Sequence, residues 1–254
     1  MRVRILGCGT STGVPKIGNE WGQCDPKEPR NARLRTSILV ESGDERMLVD
    51  CGPDLRQQLL AAEVSRLAGV IVTHAHGDHC HGIDELRPVA QATGGPVPLH
   101  ARQLVLDELQ LRFAYAFEQS EFYRPIVEAR ELGEELRFGA ASARFVDQPH
   151  GDTTSLGLRF GEEGFSVSYS IDFSHLTGDM AALYEGSDVW IADCLTRKPH
   201  PTHMHLDGVV ALARDLRIGQ LYLVHMGNGL DYRTLAAELP DWAAPAYDGL
   251  EIAQ

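Results

Sequence analysis

The sequence predicts a layered α/β protein, with two β-sheets packed face to face and helices on their outer sides, four layers in all. Three observations carry this expectation. Short apolar runs of strand length recur along the chain and fall into two groups. Stretches with helical spacing follow the first group and return near the C-terminus. Both groups end strands on a histidine or an aspartate, namely His74, Asp172 and His225. Polar residues at the ends of apolar strands are what a site between two packed sheets requires.

The elements follow in order. Residues 3–6 alternate apolar side chains with Arg4 and read as an opening strand. Gly7-Cys8-Gly9-Thr10-Ser11-Thr12-Gly13 is a loop, because glycines and hydroxyls favour turns. Residues 16–36 are polar and irregular. Residues 37–41 and 46–50 read as paired strands around Ser42-Gly43-Asp44. Residues 55–62 have helical spacing, and 67–73 form a short buried strand ending at His74. A helix is expected over 82–92, a strand over 97–100 and one helix over 102–117. Residues 118–133 are amphipathic without a clear state. Strand-like runs recur at 142–146, 155–160, 165–171 and 188–192. Residues 207–216 read as a helix, and 220–224 as a buried strand ending at His225. No repeat, low-complexity tract or long linker divides the chain, so residues 1–254 are expected to form a single domain. Within it, 101–138 carries Phe113, Tyr115, Phe117, Phe122 and Tyr123 and is a candidate lid or dimerisation element. Ordinary core packing is the competing explanation of those aromatics.

Composition excludes several roles. The 254 residues contain 23 Lys+Arg against 36 Asp+Glu, a formal charge of −13. Phosphate affinity of nucleic-acid binders rests on clustered cations, so no long nucleic acid is expected as partner. The same charge argues against binding anionic membranes. A hydrophobic fraction of 43% and a charged fraction of 23% are those of a globular protein. No run approaches a transmembrane helix in length, and the N-terminal residues turn polar too soon for a signal-peptide core. The five cysteines are dispersed, with no C-x-x-C. Together these features predict a reduced, cytoplasmic protein.

The eleven histidines are left unexplained by composition, and four lie between His74 and His81. The segment Thr73-His74-Ala75-His76-Gly77-Asp78-His79 sits at a strand-to-helix junction. Alternate residues of an extended stretch point the same way, so His74 and His76 can grip one ion. Asp78 and His79 follow as the chain turns into a helix and can face a second ion. Gly77 lets the backbone fold tightly between the two pairs. Imidazoles with carboxylates suit Zn(II), Mn(II) or Fe(II).

This segment resembles the signature of the metallo-β-lactamase-fold hydrolases. The resemblance runs from the first strand to His225, and it implies a stacked αββα fold with two divalent metal ions at one sheet edge. It assigns His150, in Gln148-Pro149-His150-Gly151-Asp152, and Asp172 to the first ion with His74 and His76. It assigns Asp78, His79, His225 and the shared Asp172 to the second, with a bridging hydroxide between the ions. Asp50, in Leu48-Val49-Asp50-Cys51-Gly52, resembles a carboxylate that orients a ligating imidazole. A turn-initiating aspartate before Gly52 is the other reading, and the two are compatible.

Three further segments resemble the phosphodiesterase branch of that superfamily. The 7–15 loop offers Thr10 and Ser11, and Pro29-Arg30-Asn31-Ala32-Arg33-Leu34-Arg35 offers Arg35, as substrate contacts. An ordinary turn and a solvated basic face are the competing explanations. In His200-Pro201-Thr202-His203-Met204-His205-Leu206-Asp207, position points to His203 as the catalytic non-ligand histidine, which protonates the leaving oxygen, with His205 as its rival. The resemblance is closest to the cyclic phosphodiesterase family of phosphonate breakdown. Members with a structural zinc carry a C-x-C-x-x-C run and a later His. Here only Cys24 is present, and Asn228 stands three after His225. No structural zinc is therefore expected. The expected activity is hydrolysis of small, including cyclic, phosphodiesters. The rivals are a tRNA 3′-processing-type ribonuclease, disfavoured by charge, and a thioester or lactone hydrolase. The latter typically carries a C-terminal helical domain, for which the residues after His225 are too few. A homodimer is compatible with all three readings.

Overall fold

The computed structural model describes residues 1–254. Two seven-stranded mixed sheets stack face to face. The first has the order β14-β1-β2-β3-β4-β5-β6. It comprises β1 (Arg2–Gly7), β2 (Ser37–Ser42), β3 (Glu45–Val49), β4 (Gly69–Ile71), β5 (Val97–Ala101), β6 (Val127–Glu131) and β14 (Glu251–Ala253). The second has the order β13-β12-β11-β10-β9-β8-β7. It comprises β7 (Glu135–Phe138), β8 (Ala141–His150), β9 (Thr153–Glu162), β10 (Phe165–Ser170), β11 (Val189–Asp193), β12 (Gln220–Val224) and β13 (Ala243–Pro245). Each sheet is antiparallel at one side and parallel at the other. In the first, β1 to β3 run antiparallel and β3 to β6 parallel. In the second, β7 to β10 are antiparallel and β10 to β13 parallel.

Strand alternation explains the layering. Ile38 and Val40 on β2, and Met47 and Val49 on β3, point between the sheets, where they meet Leu158, Phe160, Val167, Tyr169 and Ile191. Their neighbours Leu39 and Leu48 point outward, into a second apolar cluster with Leu55, Leu59, Ile83, Leu86, Leu106 and Leu109. A strand apolar on both faces is buried on both faces. That is why these runs read as nearly continuous. The outer helices of the first sheet are α1 (Leu55–Ala61), α2 (Gly77–Cys80), α3 (Arg87–Thr93), α4 (Gln103–Arg112) and α5 (Ala114–Phe117). The second sheet is flanked by α6 (Gly178–Tyr184), α7 (Leu206–Asp215) and α8 (Tyr232–Glu238). No helix is long and apolar enough to cross a membrane.

Three elements differ from the sequence expectation. The helix expected over 82–92 opens as a 3₁₀ turn at Ile83–Leu86 and becomes α-helical only from Arg87. Pro88 occupies the first turn of α3, where its missing N–H costs nothing. The single helix expected over 102–117 breaks at Phe113, whose φ of −124° and ψ of 37° are not helical. Within 118–133, residues 127–131 join the first sheet as its edge strand β6.

Candidate metal centre

The ends of β4, β8, β10, β11 and β12 converge at one edge of the sandwich. Asp50, Asp172 and His225, each directly following a strand or one residue beyond it, have φ of 64°, 53° and 56°. This left-handed conformation is uncommon outside glycine. It turns the chain sharply as the strand ends, and such strain concentrates at functional sites.

Two donor groups result. His74, His76, His150 and Asp172 offer ligand atoms that all lie within 4.8 Å of one another, and so do Asp78, His79, Asp172 and His225. In the first group, His74 Nε2 lies 3.0 Å from His76 Nδ1 and 3.1 Å from Asp172 Oδ2. His150 Nε2 lies 3.3 Å from His76 Nδ1. In the second, His79 Nε2 lies 3.0 Å from Asp172 Oδ2 and 3.1 Å from Asp78 Oδ2. His225 Nε2 lies 3.5 Å from Asp78 Oδ2. Asp172 Oδ2 thus stands between the groups.

The donor set fits divalent cations on two counts. His79 Nε2, both ring nitrogens of His225 and Asp172 Oδ1 are buried without a hydrogen-bond partner. Such atoms are costly unless something else satisfies them. In the first group the protonation states also suit ligation. Burial, then the neighbouring His79, pushes the His74 pKa down. Burial and His150 do the same for His76, and burial for His150. These rings are neutral and present lone pairs. Burial would raise Asp172, but His225 and His79 hold it well below the usual carboxylate range.

Asp50 is fully buried beneath this layer. Its carboxylate accepts from Thr73 N at 2.8 Å and Thr73 Oγ1 at 3.0 Å, and lies 2.9 Å from His79 Nδ1. That contact fixes the ring so that Nε2 faces Asp78 and Asp172. The chain after Asp50 packs tightly on the loop, and a Cβ on Gly52 would lie 2.0 Å from the Asp78 carbonyl oxygen.

His203 lies beside the two groups. Its Nδ1 is 3.1 Å from Asp193 Oδ2 and 3.2 Å from Asp172 Oδ1, and its ring stacks on that of His225. Burial disfavours its charged form, but the adjacent carboxylates of Asp172 and Asp193 push its pKa up to about 9. Asp193 also accepts from Met204 N at 3.3 Å and is fully buried. Sequence reasoning missed Asp193. Yet it ends the apolar run of β11 as His74, Asp172 and His225 end theirs, and that signal was available.

The remaining candidates scatter. Ser11 lines the cleft, a cavity of about 460 Å³ that it shares with His76, Asp78, His150, Asp172, Thr202, His203 and His225. No hydrophobic residue lines it, and no Lys or Arg. Thr10 is buried, its amide donating to the Met226 carbonyl. Arg35 faces a different cavity, pairing with Asp54 at 2.9 Å and donating to the Ser11 carbonyl. His205 directly precedes α7 without a capping hydrogen bond from its side chain, its ring against Gly208, outside the cleft lining. Around Cys24, the guanidinium of Arg33 donates to the Gly227 and Leu230 carbonyls and so ties these loops together. In 101–138, Leu104, Leu111, Tyr115, Phe122 and Tyr123 are exposed. Arg112 Nη1 donates to the Ala75 carbonyl at 2.5 Å.

The model of the beta-lactamase superfamily domain matches residues 45–226. An octanoyltransferase of Porphyromonas gingivalis is 30% identical over 99% of this chain, which spans about half (51%) of that protein. A ribonuclease Z of Pseudomonas putida is 33% identical over 51% of this chain and 38% of its own. The crystal structure of a diphosphatase from the PhnP family superposes with a TM-score of 0.90 at 33% identity, covering 99% of this chain and 97% of that one.

Proposed function

The chain belongs to the beta-lactamase superfamily as a metal-dependent hydrolase, and on that premise we propose that it hydrolyses small phosphate diesters, cyclic ones included. One observation carries the reading: an all-polar cleft where two donor groups, joined by Asp172, lie beside a histidine held by a buried carboxylate. The likeness to a PhnP-family diphosphatase supports phosphoryl chemistry. The same cleft disfavours acyl transfer, because nothing apolar lines it to receive an acyl chain. Likeness to ribonuclease Z favours a second reading, cleavage of RNA. The charge of −13 and the lack of Lys or Arg in the cleft disfavour a long polyanion.

In this reading His74, His76, His150 and Asp172 hold one divalent cation, and Asp78, His79, His225 and Asp172 the other. Such a pair, when bound, acidifies water and neutralises charge on the phosphoryl oxygens. Zn(II) and Mn(II) both suit the donors, with Fe(II) a further candidate. Asp50 keeps His79 in the tautomer whose Nε2 is free to ligate. Asp193 binds His203 at Nδ1, which leaves Nε2 as the end that meets substrate. His203 then donates its proton to the departing ester oxygen, a contribution of about 10²–10⁴ in rate. Ser11 stands at the mouth to meet the substrate. We place the enzyme in a reducing compartment, the cytoplasm, since all five cysteines are buried free thiols. The test is a screen of cyclic and linear phosphodiesters, thioesters and a tRNA precursor under Mn(II) and Zn(II). Turnover of small diesters above the others supports the proposal, and a preference for thioester or tRNA overturns it.

A further inference from the structure

We propose a second seat for one of the two cations, formed by Asp172, Asp193, His203 and His225. The inference rests on the two-cation reading above. These four residues offer ligand atoms within 4.8 Å of one another. Each of the two imidazoles lies against both carboxylates. His203 Nδ1 lies 3.2 Å from Asp172 Oδ1 and 3.1 Å from Asp193 Oδ2. His225 Nδ1 lies 3.4 Å from Asp172 Oδ1 and 3.5 Å from Asp193 Oδ1. A tetrahedral zinc ion with bonds of about 2.0–2.1 Å spaces its ligands about 3.3 Å apart, within the range of these four nitrogen–oxygen contacts.

Three of these atoms have no other occupation. Asp193 Oδ1, Asp172 Oδ1 and His225 Nδ1 are buried and make no hydrogen bond. Asp193 is 0% exposed, and Asp172 and His225 are each 2% exposed. Two buried carboxylates, each with an oxygen left without a hydrogen bond, call for a cation. No Lys or Arg reaches these carboxylates with a salt bridge, and their ionic partners are all histidines.

The two seats exclude each other. Toward Asp78 and His79 the shared residues present Asp172 Oδ2 and His225 Nε2; toward Asp193 and His203 they present Asp172 Oδ1 and His225 Nδ1. A neutral imidazole carries one proton and ligates through one nitrogen, so His225 serves one seat at a time. With the cation beside Asp193, Nδ1 of His203 is a ligand; with the cation beside Asp78, it is not.

Metal analysis after equilibration with buffered Zn(II) tests this without relying on activity. Asp78→Ala removes a donor from the first seat alone. The expectation is about two ions per chain for wild type and for Asp78→Ala, and about one for Asp78→Ala with His203→Ala. His203→Ala by itself keeps about two. In Asp78→Ala, zinc also shields His203 from modification by diethyl pyrocarbonate, mapped by peptide mass. Should Asp78→Ala not fold, His79→Gln makes the same cut, since His79 belongs only to the first seat. About one ion in Asp78→Ala, unchanged by the second substitution, overturns the proposal and leaves protons as what joins these four side chains. Fewer than two ions in wild type defeats the two-cation reading itself, a separable outcome.

Discussion

Replacing Asp50 by Asn separates the orienting role of this carboxylate from its structural one. Asp50 is 0% exposed and is engaged by Thr73 N, Thr73 Oγ1 and His79 Nδ1 at 2.8, 3.0 and 2.9 Å. In Asp50→Ala the Thr73 hydroxyl can turn to His74 Nδ1, 3.0 Å away. The Thr73 amide and His79 Nδ1–H are left buried without acceptors, at about 1–3 kcal/mol each. Alanine at φ 64° adds about 1–2 kcal/mol. The sum, about 3–8 kcal/mol, is a large part of a domain's stability. Asn keeps an acceptor for Thr73 and tolerates the left-handed backbone, so Asp50→Asn is expected to fold with a loss of about 1 kcal/mol. Its amide N–H₂, however, donates to His79 Nδ1 and forces the proton onto Nε2, the nitrogen that faces Asp78 and Asp172. Affinity for the second cation should fall about 10–100-fold. Chelator-competition titration gives the affinity and thermal melting the stability. A folded Asp50→Asn that binds both cations as tightly as wild type would refute the reasoning.

Other predictions follow from the same contacts. Asp193→Asn loses the charged partner of His203 Nδ1 and should lower kcat about 10²-fold with KM nearly unchanged, read from steady-state kinetics on a diester. His203→Ala should slow hydrolysis of alkyl diesters far more than of p-nitrophenyl diesters, because a good leaving group needs no proton; equal losses on both would remove His203 from the acid role. Stripping the cations with a chelator should lower Tm, since His79, Asp172 and His225 then keep buried atoms without partners, and an unchanged melt would mean the cluster holds no metal. Glu28 ties its loop to Arg30 and Arg233, and the Arg30 hydrogen bond brings its pKa from 4.5 down to about 2. A depressed folded pKa means a stabilisation present above pH about 4.5 and lost as pH falls through about 2. Glu28→Gln should therefore melt lower at neutral pH and lose less on acidification across that window, measured as Tm against pH.

Much of the fold was legible because both faces of the central strands are buried. Apolar runs such as 37–41 and 220–224 carry their state in composition alone. The edges were not legible. β13 and β14 are three residues each, too short for any alternation to register, and are held by backbone pairing to β12 and β1. The break at Phe113 was hidden because its residues suit a helix throughout. In the centre, spacing along one loop brought His74, His76, Asp78 and His79 to notice and strand ends brought Asp172 and His225, while His150 came only from the family resemblance. What spacing could not give was direction. Arg35 turns to Asp54 and His205 folds onto Gly208, while Asp193 turns inward to meet His203. The left-handed φ at Asp50, Asp172 and His225 is equally invisible in one sequence, since none is a glycine.

The central claim is that Asp172 joins two cations into one centre that cleaves phosphodiesters. The most direct measurement pairs metal content with hydrolysis of bis(p-nitrophenyl) phosphate, for wild type and Asp172→Ala. The account predicts about two ions per chain in wild type, turnover abolished by chelation and restored by Mn(II) or Zn(II), and no turnover in a folded Asp172→Ala. Turnover that survives chelation, or a fully active Asp172→Ala, would contradict it.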